Sequence, residues 1–153
     1  MAYVIFAFIL GFCLTFVQST SFEECVGIPP PTELRIEGCI SPPCDLIRGS
    51  NVTAEWDFVV TSRTEALKPK VKAYVLDSIT VDYPLGQKDA CETLTNAECP
   101  LDESEEVTYA LHMPVLPSYP KIKLKIEFSL IGDDGNVQVC FKIAARVADK
   151  SRM

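Results

Sequence analysis

From Lys121 to Leu130 the chain alternates without a break: Lys121, Lys123, Lys125, Glu127 and Ser129 are polar, and Ile122, Leu124, Ile126, Phe128 and Leu130 are apolar. Successive side chains of an extended strand point to opposite faces, so this segment predicts a strand with one wet and one buried face. Val52, Ala54, Trp56 and Phe58 alternate in the same way with Asn51, Thr53, Glu55 and Asp57, and Val107, Tyr109, Leu111 and Met113 form a third such series. Shorter versions run through Leu34 and Ile36, through Val71, Ala73 and Val75, and through Ile79, Val81 and Tyr83. A last one joins Val137, Val139, Phe141, Ile143, Ala145 and Val147. The helical spacing of three and four does not recur, so strands dominate.

Between the final two strands, Asp133-Asp134-Gly135-Asn136 predicts a hairpin turn, since Asp-Gly supplies the positive φ that tight β-turns need. Some seven short strands with one apolar face each bury those faces most simply as two antiparallel sheets packed face to face. The expected fold class is therefore all-β, a two-sheet antiparallel sandwich. Prolines at 29–31, 42–43, 114, 117 and 120 suit loops and sheet edges, because proline donates nothing to a ladder. The acidic run from Asp102 to Glu106 reads as a solvated loop.

Tyr3 to Val17 is an almost unbroken apolar run with no charged side chain before Glu23. It is shorter than the roughly 20 residues that span hydrocarbon, and small residues follow it, so residues 1–19 are expected to be a signal peptide cut after Ser19 or, as a second choice, after Ser21. Residues 20–153 are then one domain, large enough to enclose a core. Its six cysteines, Cys25, Cys39, Cys44, Cys91, Cys99 and Cys140, are an even count behind a leader and point to an oxidising compartment. Six cysteines pair in fifteen ways, and spacing alone does not choose. Local closure suggests Cys39 with Cys44 and Cys91 with Cys99, which leaves Cys25 with Cys140.

The net charge of -7 argues against a nucleic-acid partner, as no basic cluster with interleaved aromatics offsets it. Catalysis finds no support either. The one histidine, His112, sits on the polar parity of its strand, there is no Gly-x-Ser-x-Gly elbow, and the cysteines are committed to bridges. The same commitment removes a metal site, and Asp133 and Asp134 lack the spacing of a calcium loop. Asn51-Val52-Thr53 is an N-glycosylation sequon on the polar face of its strand.

Cys25, the Cys39 and Cys44 pair followed by Gly49, Cys91 with Cys99, and Cys140 together form a framework that resembles the ML-domain (MD-2-related lipid-recognition) family. Within it the chain is similar to the insect-type Niemann-Pick type C2 sterol-transfer proteins through Pro29-Pro30-Pro31-Thr32, Pro42-Pro43-Cys44, Arg48-Gly49, Val81-Asp82-Tyr83-Pro84, Cys99-Pro100 and the run from Leu116 to Leu124. Mite group two allergens share the framework and the Asp133-Asp134-Gly135 turn. The resemblance covers essentially the whole mature chain.

It implies an immunoglobulin-like sandwich that opens between its sheets to hold one lipid, with the three disulfides suggested above, no cofactor and no catalysis. The wall aromatic that packs on a sterol corresponds to Tyr83, beside Pro84, and the opposite rim to Val115, Tyr119 and Pro120. Phe128 and Phe141 correspond to deeper wall positions, and inward parity adds Val52, Trp56 and Phe58 as candidates. The expected function is a secreted or endolysosomal sterol carrier working as a monomer, with transient membrane contact and a membrane sterol transporter or receptor as acceptor. The alternative is a chemosensory or innate-immune carrier of fatty acids, semiochemicals or bacterial lipid that a receptor recognises. Net negative charge is expected to oppose docking on anionic bilayers near neutral pH and to oppose it less in an acidic compartment.

Overall fold

A computed structural model of the chain describes residues 18–76 and 78–151. Most of the expected leader, residues 1–17, lies outside the described residues. Nine strands form two sheets: β1 (Glu23–Glu24), β2 (Glu33–Ile36), β3 (Cys44–Ile47), β4 (Asn51–Val59), β5 (Leu67–Val75), β6 (Ile79–Tyr83), β7 (Glu106–Pro114), β8 (Lys123–Gly132) and β9 (Val137–Ala148). The wide sheet runs β1-β9-β8-β5-β6, with β3 also paired to β9; the narrow sheet is β2-β4-β7. A 3-10 turn, Ala90–Thr93, is capped by the Asp89 carboxylate, which accepts from the Cys91 N–H. No helix among the described residues is long and apolar enough to cross a membrane.

Every pairing is antiparallel except β3 with β9, which runs parallel from Cys44 opposite Ala145 to Ile47 opposite Ala148. Neither β1 nor β3 has enough residues to show an alternation, and both were missing from the expected strands. The alternating run expected from Lys121 enters the ladder at Lys123 and continues to Gly132. A register shift between Leu130 and Ile131 then breaks the parity, as a bulge does by adding one residue to one strand. Pro69 lies in the stretch of β5 that β6 does not reach, since their pairing begins at Val71, so its missing N–H costs no ladder bond. The turn at Asp133–Asn136 closes with Gly132 N–H donating to the Asn136 carbonyl at 2.8 Å, and Gly135 takes φ +83°.

Inward rows cross each sheet. Tyr83, Val71, Phe128 and Phe141 form one row of the wide sheet, and Val81, Ala73, Ile126 and Ile143 the next. Opposite them, Leu34, Trp56 and Tyr109 are neighbours, then Ile36, Ala54 and Leu111. The filled end of the core is aromatic: Trp56 lies 4.6 Å from Tyr109, 5.0 Å from Phe141 and 5.8 Å from Phe128 between ring centroids, and Phe22 closes on Phe141 at 5.9 Å. Gln138, fully buried on β9, is retained because it is fully used. Its Oε1 accepts from the Thr61 backbone and hydroxyl at 2.8 Å each, and its Nε2 donates to the Ser62 carbonyl and hydroxyl.

Cys25 bonds Cys140, Cys39 bonds Cys44, and Cys91 bonds Cys99. The first joins residues 115 apart and ties the segment before β2 onto β9, whereas the second closes a span of 5. In the chain-entropy treatment these loops differ greatly in what they remove from the unfolded ensemble, about 5 against about 2 kcal/mol. A Cys25→Ser/Cys140→Ser variant is therefore expected to lose more than twice the unfolding free energy lost by Cys39→Ser/Cys44→Ser in guanidinium titrations. Equal losses would show that native contacts, not loop length, set the contribution.

Candidate binding cavity

The wide sheet overhangs the narrow one, so the inner face of β6 and part of β5 has no strand opposite it. Ile79 and Val81 of β6 are 53% and 51% exposed despite inward parity. Beneath the overhang lies a cavity of about 370 Å³ walled by Val71, Ala73 and Val75 of β5, Leu124 and Ile126 of β8, and Leu46 and Val147 from β3 and β9. Met113 of β7 closes it from the narrow sheet, and Ile122 precedes β8. Small and branched side chains here, in place of the aromatics at the other end, leave the space unfilled.

The mouth lies between the free edges of the two sheets. Tyr83 and Pro84 end β6 on one side; Pro114, Val115, Tyr119 and Pro120 form the other. The Tyr83 hydroxyl donates to the Pro114 carbonyl at 2.8 Å, so one hydrogen bond crosses from sheet to sheet at the rim. The Tyr83 and Tyr119 rings meet edge to face at 6.4 Å. Burial, then the neighbouring Tyr119 hydroxyl, push the Tyr83 phenol up to about 12. The phenol is therefore a neutral donor at any physiological pH.

The β7 side of the rim is anchored. Val115 N–H donates to the Ser50 carbonyl at 2.8 Å and Gly49 N–H to the Val115 carbonyl at 2.7 Å. Gly49 takes φ +78°, with its missing Cβ 3.8 Å from Pro117, where a side chain would be strained. Arg48 pairs with Asp149 and reaches the Tyr119 carbonyl at 3.4 Å, and Val147 N–H donates to the Ile122 carbonyl at 2.9 Å. By contrast β6 is paired on one side only.

Tyr83, Pro84, Val115, Tyr119 and Pro120 thus meet at one mouth. Val52, Trp56, Phe128 and Phe141 line a second, inner void of about 20 Å³, which shares Leu46, Met113 and Ile126 with the main cavity. Phe58, fully buried against the filled end, lines neither space. The sequence reading did not include Leu46, Met113, Ile122, Leu124 and Ile126 among the site residues. Inward parity marked all but Leu46, which sits on the short strand β3, yet parity does not say which inward residues face filler and which face a gap.

A family model described as the ML domain matches residues 19–147. The chain belongs to the ML-domain family. This ML-domain protein is 34% identical over 137 residues to the Drosophila melanogaster NPC intracellular cholesterol transporter 2 homolog a, covering 88% of this chain and 91% of that one. It is 31% identical over 143 residues to the mite group 2 allergen Lep d 2 of Lepidoglyphus destructor, at 92% and 97% coverage. Its fold matches the crystal structure of a Niemann-Pick type C2 protein from Japanese carpenter ant, with a TM-score of 0.73 at 22% identity over 84% of this chain and 99% of that one.

Tyr109, hydrogen-bonded to Gln87 at 2.8 Å, is also pushed up to about 12 by burial. Unfolded tyrosines ionise near 10. The two phenols therefore support the ML domain fully below about pH 10, and that support is lost as pH rises through about 12. Tyr74 is raised as well, by its hydrogen bond to Glu127 and by burial, so an alkaline absorbance titration is expected to show three late-ionising tyrosines and Tyr83→Phe to show two. Tyr83→Phe is also expected to cost at most about 1 kcal/mol at neutral pH, the net contribution of one partly solvated hydrogen bond.

Proposed function

We propose that this protein is a soluble carrier that takes one sterol, or a closely related apolar lipid, between its sheets and hands it to a membrane or a membrane-bound transporter or receptor. The observation that carries the reading is the apolar cavity of about 370 Å³ open at a rim of Tyr83, Pro84, Val115, Tyr119 and Pro120. Removing apolar surface from water yields about 25 cal/mol per Å², so enclosure alone binds such a ligand firmly. Relatives that bear the name cholesterol transporter support the same direction. The polar side chains at the rim are the phenols of Tyr83 and Tyr119, a pair suited to seating a head group.

The chain is read as monomeric and secreted, with residues 1–19 removed, and as destined for extracellular fluid or the lysosomal lumen. Three disulfides suit such compartments. Asn51 is exposed at the start of β4, accessible to a glycosyltransferase. Transient membrane contact is supported by the exposed Leu76 after β5, Ile79 and Val81 of β6, and Leu116 beside Val115. Charge is also sorted. Lys68, Lys70, Lys72 and Lys123 share the outer face of the wide sheet with the ion pairs Lys125–Glu23, Lys142–Glu127 and Arg146–Asp45, whereas Glu33, Glu55, Asp57 and Glu106 dominate the outer face of the narrow one. An anionic surface therefore meets attraction on one side of a chain whose net charge repels it.

Native mass spectrometry of the secreted protein is expected to show one bound lipid, displaced by a fluorescent sterol and lost in Tyr119→Ala. A fatty acid that sterol does not displace would favour the chemosensory alternative, and a protein refusing every apolar probe would leave a plain sandwich. Transfer to anionic vesicles is expected to be faster at pH 5 than at pH 7. Glu23, Asp57, Asp133, Asp134 and Asp149 do not supply that change, because Lys125, Arg35, Thr64, the Asn136 N–H and Arg48 respectively hold them below the usual carboxylate range. Equal rates at the two pH values would remove the charge argument.

A further inference from the structure

The aromatic end of the core leaves a polar group unmet. Trp56 is 2% exposed, and among the described residues its indole N–H is buried with no hydrogen-bond acceptor. The polar group stacked on it is already used, since Tyr109 donates its hydroxyl to Gln87. A buried donor without a partner costs about 1 to 3 kcal/mol. Phenylalanine would fill much of the same space without that penalty, so the indole needs a reason. Trp56 lines the inner void, and that void borders the main cavity across the shared walls Leu46, Met113 and Ile126. A space of about 20 Å³ admits one water at most, and its otherwise apolar lining offers no second partner, whereas buried waters make two to four bonds.

We propose that Trp56 is a specificity-determining residue whose N–H is met by an acceptor oxygen on the deep end of the ligand. The inference rests on the carrier reading above. The mouth carries the phenols of Tyr83 and Tyr119, while the walls beyond are hydrocarbon, so an amphiphile leaves its head at the rim and sends its tail inward. The ligand class this selects is a lipid with a polar head and a second oxygen, of ketone, ester or ether type, near the far end of its apolar body. An acceptor that brings no donor is the match, because Ile36, Val52, Ala54 and Leu111 around Trp56 would strand an added O–H. Met113, unbranched and adaptable, is a wall that the two spaces share.

Trp56 is the single tryptophan of the chain, so isotopically labelled protein gives one indole N–H resonance. Titration with a cholesterol bearing a ketone near the end of its side chain is expected to move that proton downfield, and cholesterol itself to leave it near its free position. In competition against a fluorescent sterol, the ketosterol's advantage over cholesterol is expected to fall about tenfold in Trp56→Phe, the effect of one buried hydrogen bond. If both sterols bind and the indole proton stays put, the proposal is overturned while the carrier reading stands. The same holds if Trp56→Phe keeps the wild-type preference. Should that variant fail to fold, the wild-type resonance decides alone, and if neither sterol displaces the probe both readings fall.

Discussion

The unequal width of the two sheets governs the rest of the structure. A sheet buries its apolar face only where another layer covers it, and here five strands in register with one another, joined by β3 at the margin, face three. Over β2, β4 and β7 the layers interlock around Trp56, Phe58, Tyr109, Phe128 and Phe141, all at most 5% exposed. Beyond β7, the inward residues of β5 and β6 remain apolar with nothing across from them. The cavity is thus the part of the sandwich that the narrow sheet is too short of strands to fill, and no separate device is needed to make it.

The long disulfide and the rim tethers keep that incompletely covered structure in one shape. Cys25–Cys140 fastens the segment before β2 to β9, and Arg48, Gly49 and Ser50 hold the Val115–Pro120 rim from below. Among the described residues, the β6 edge is held by its ladder to β5 and by the Tyr83–Pro114 bond.

Much of this was legible in the residues, for physical reasons that differ by element. β4, β7 and β8 are long, and each buries one face, so period two was plain in Val52 to Phe58, Val107 to Met113 and Ile122 to Leu130. β3 was not legible because four residues, beginning at a bridged cysteine, cannot display a period, and its parallel pairing depends on β9, about a hundred residues away. Gln138 would read as surface from type and parity, yet it is buried, because the Thr61-Ser62 corner folds over it to complete its hydrogen bonds. The mouth came from the ML-domain resemblance at Tyr83, Pro84, Val115, Tyr119 and Pro120. Parity alone put Phe58 on the same footing as Trp56, since which inward residues meet a gap is decided by strands elsewhere in the chain.

The overhang also has an evolutionary reading. Residues that hold the sandwich together and residues that shape its empty space occupy different ends of the same strands, so Val75, Val81 or Leu124 can vary in size without disturbing the aromatic cluster that folds the domain. Such a division lets the volume offered to cargo change with little effect on stability, with Trp56 a side chain that belongs to both ends. One scaffold, duplicated and altered only along its overhanging edge, can diversify into a set of carriers for different hydrophobic molecules without having to solve the folding problem again.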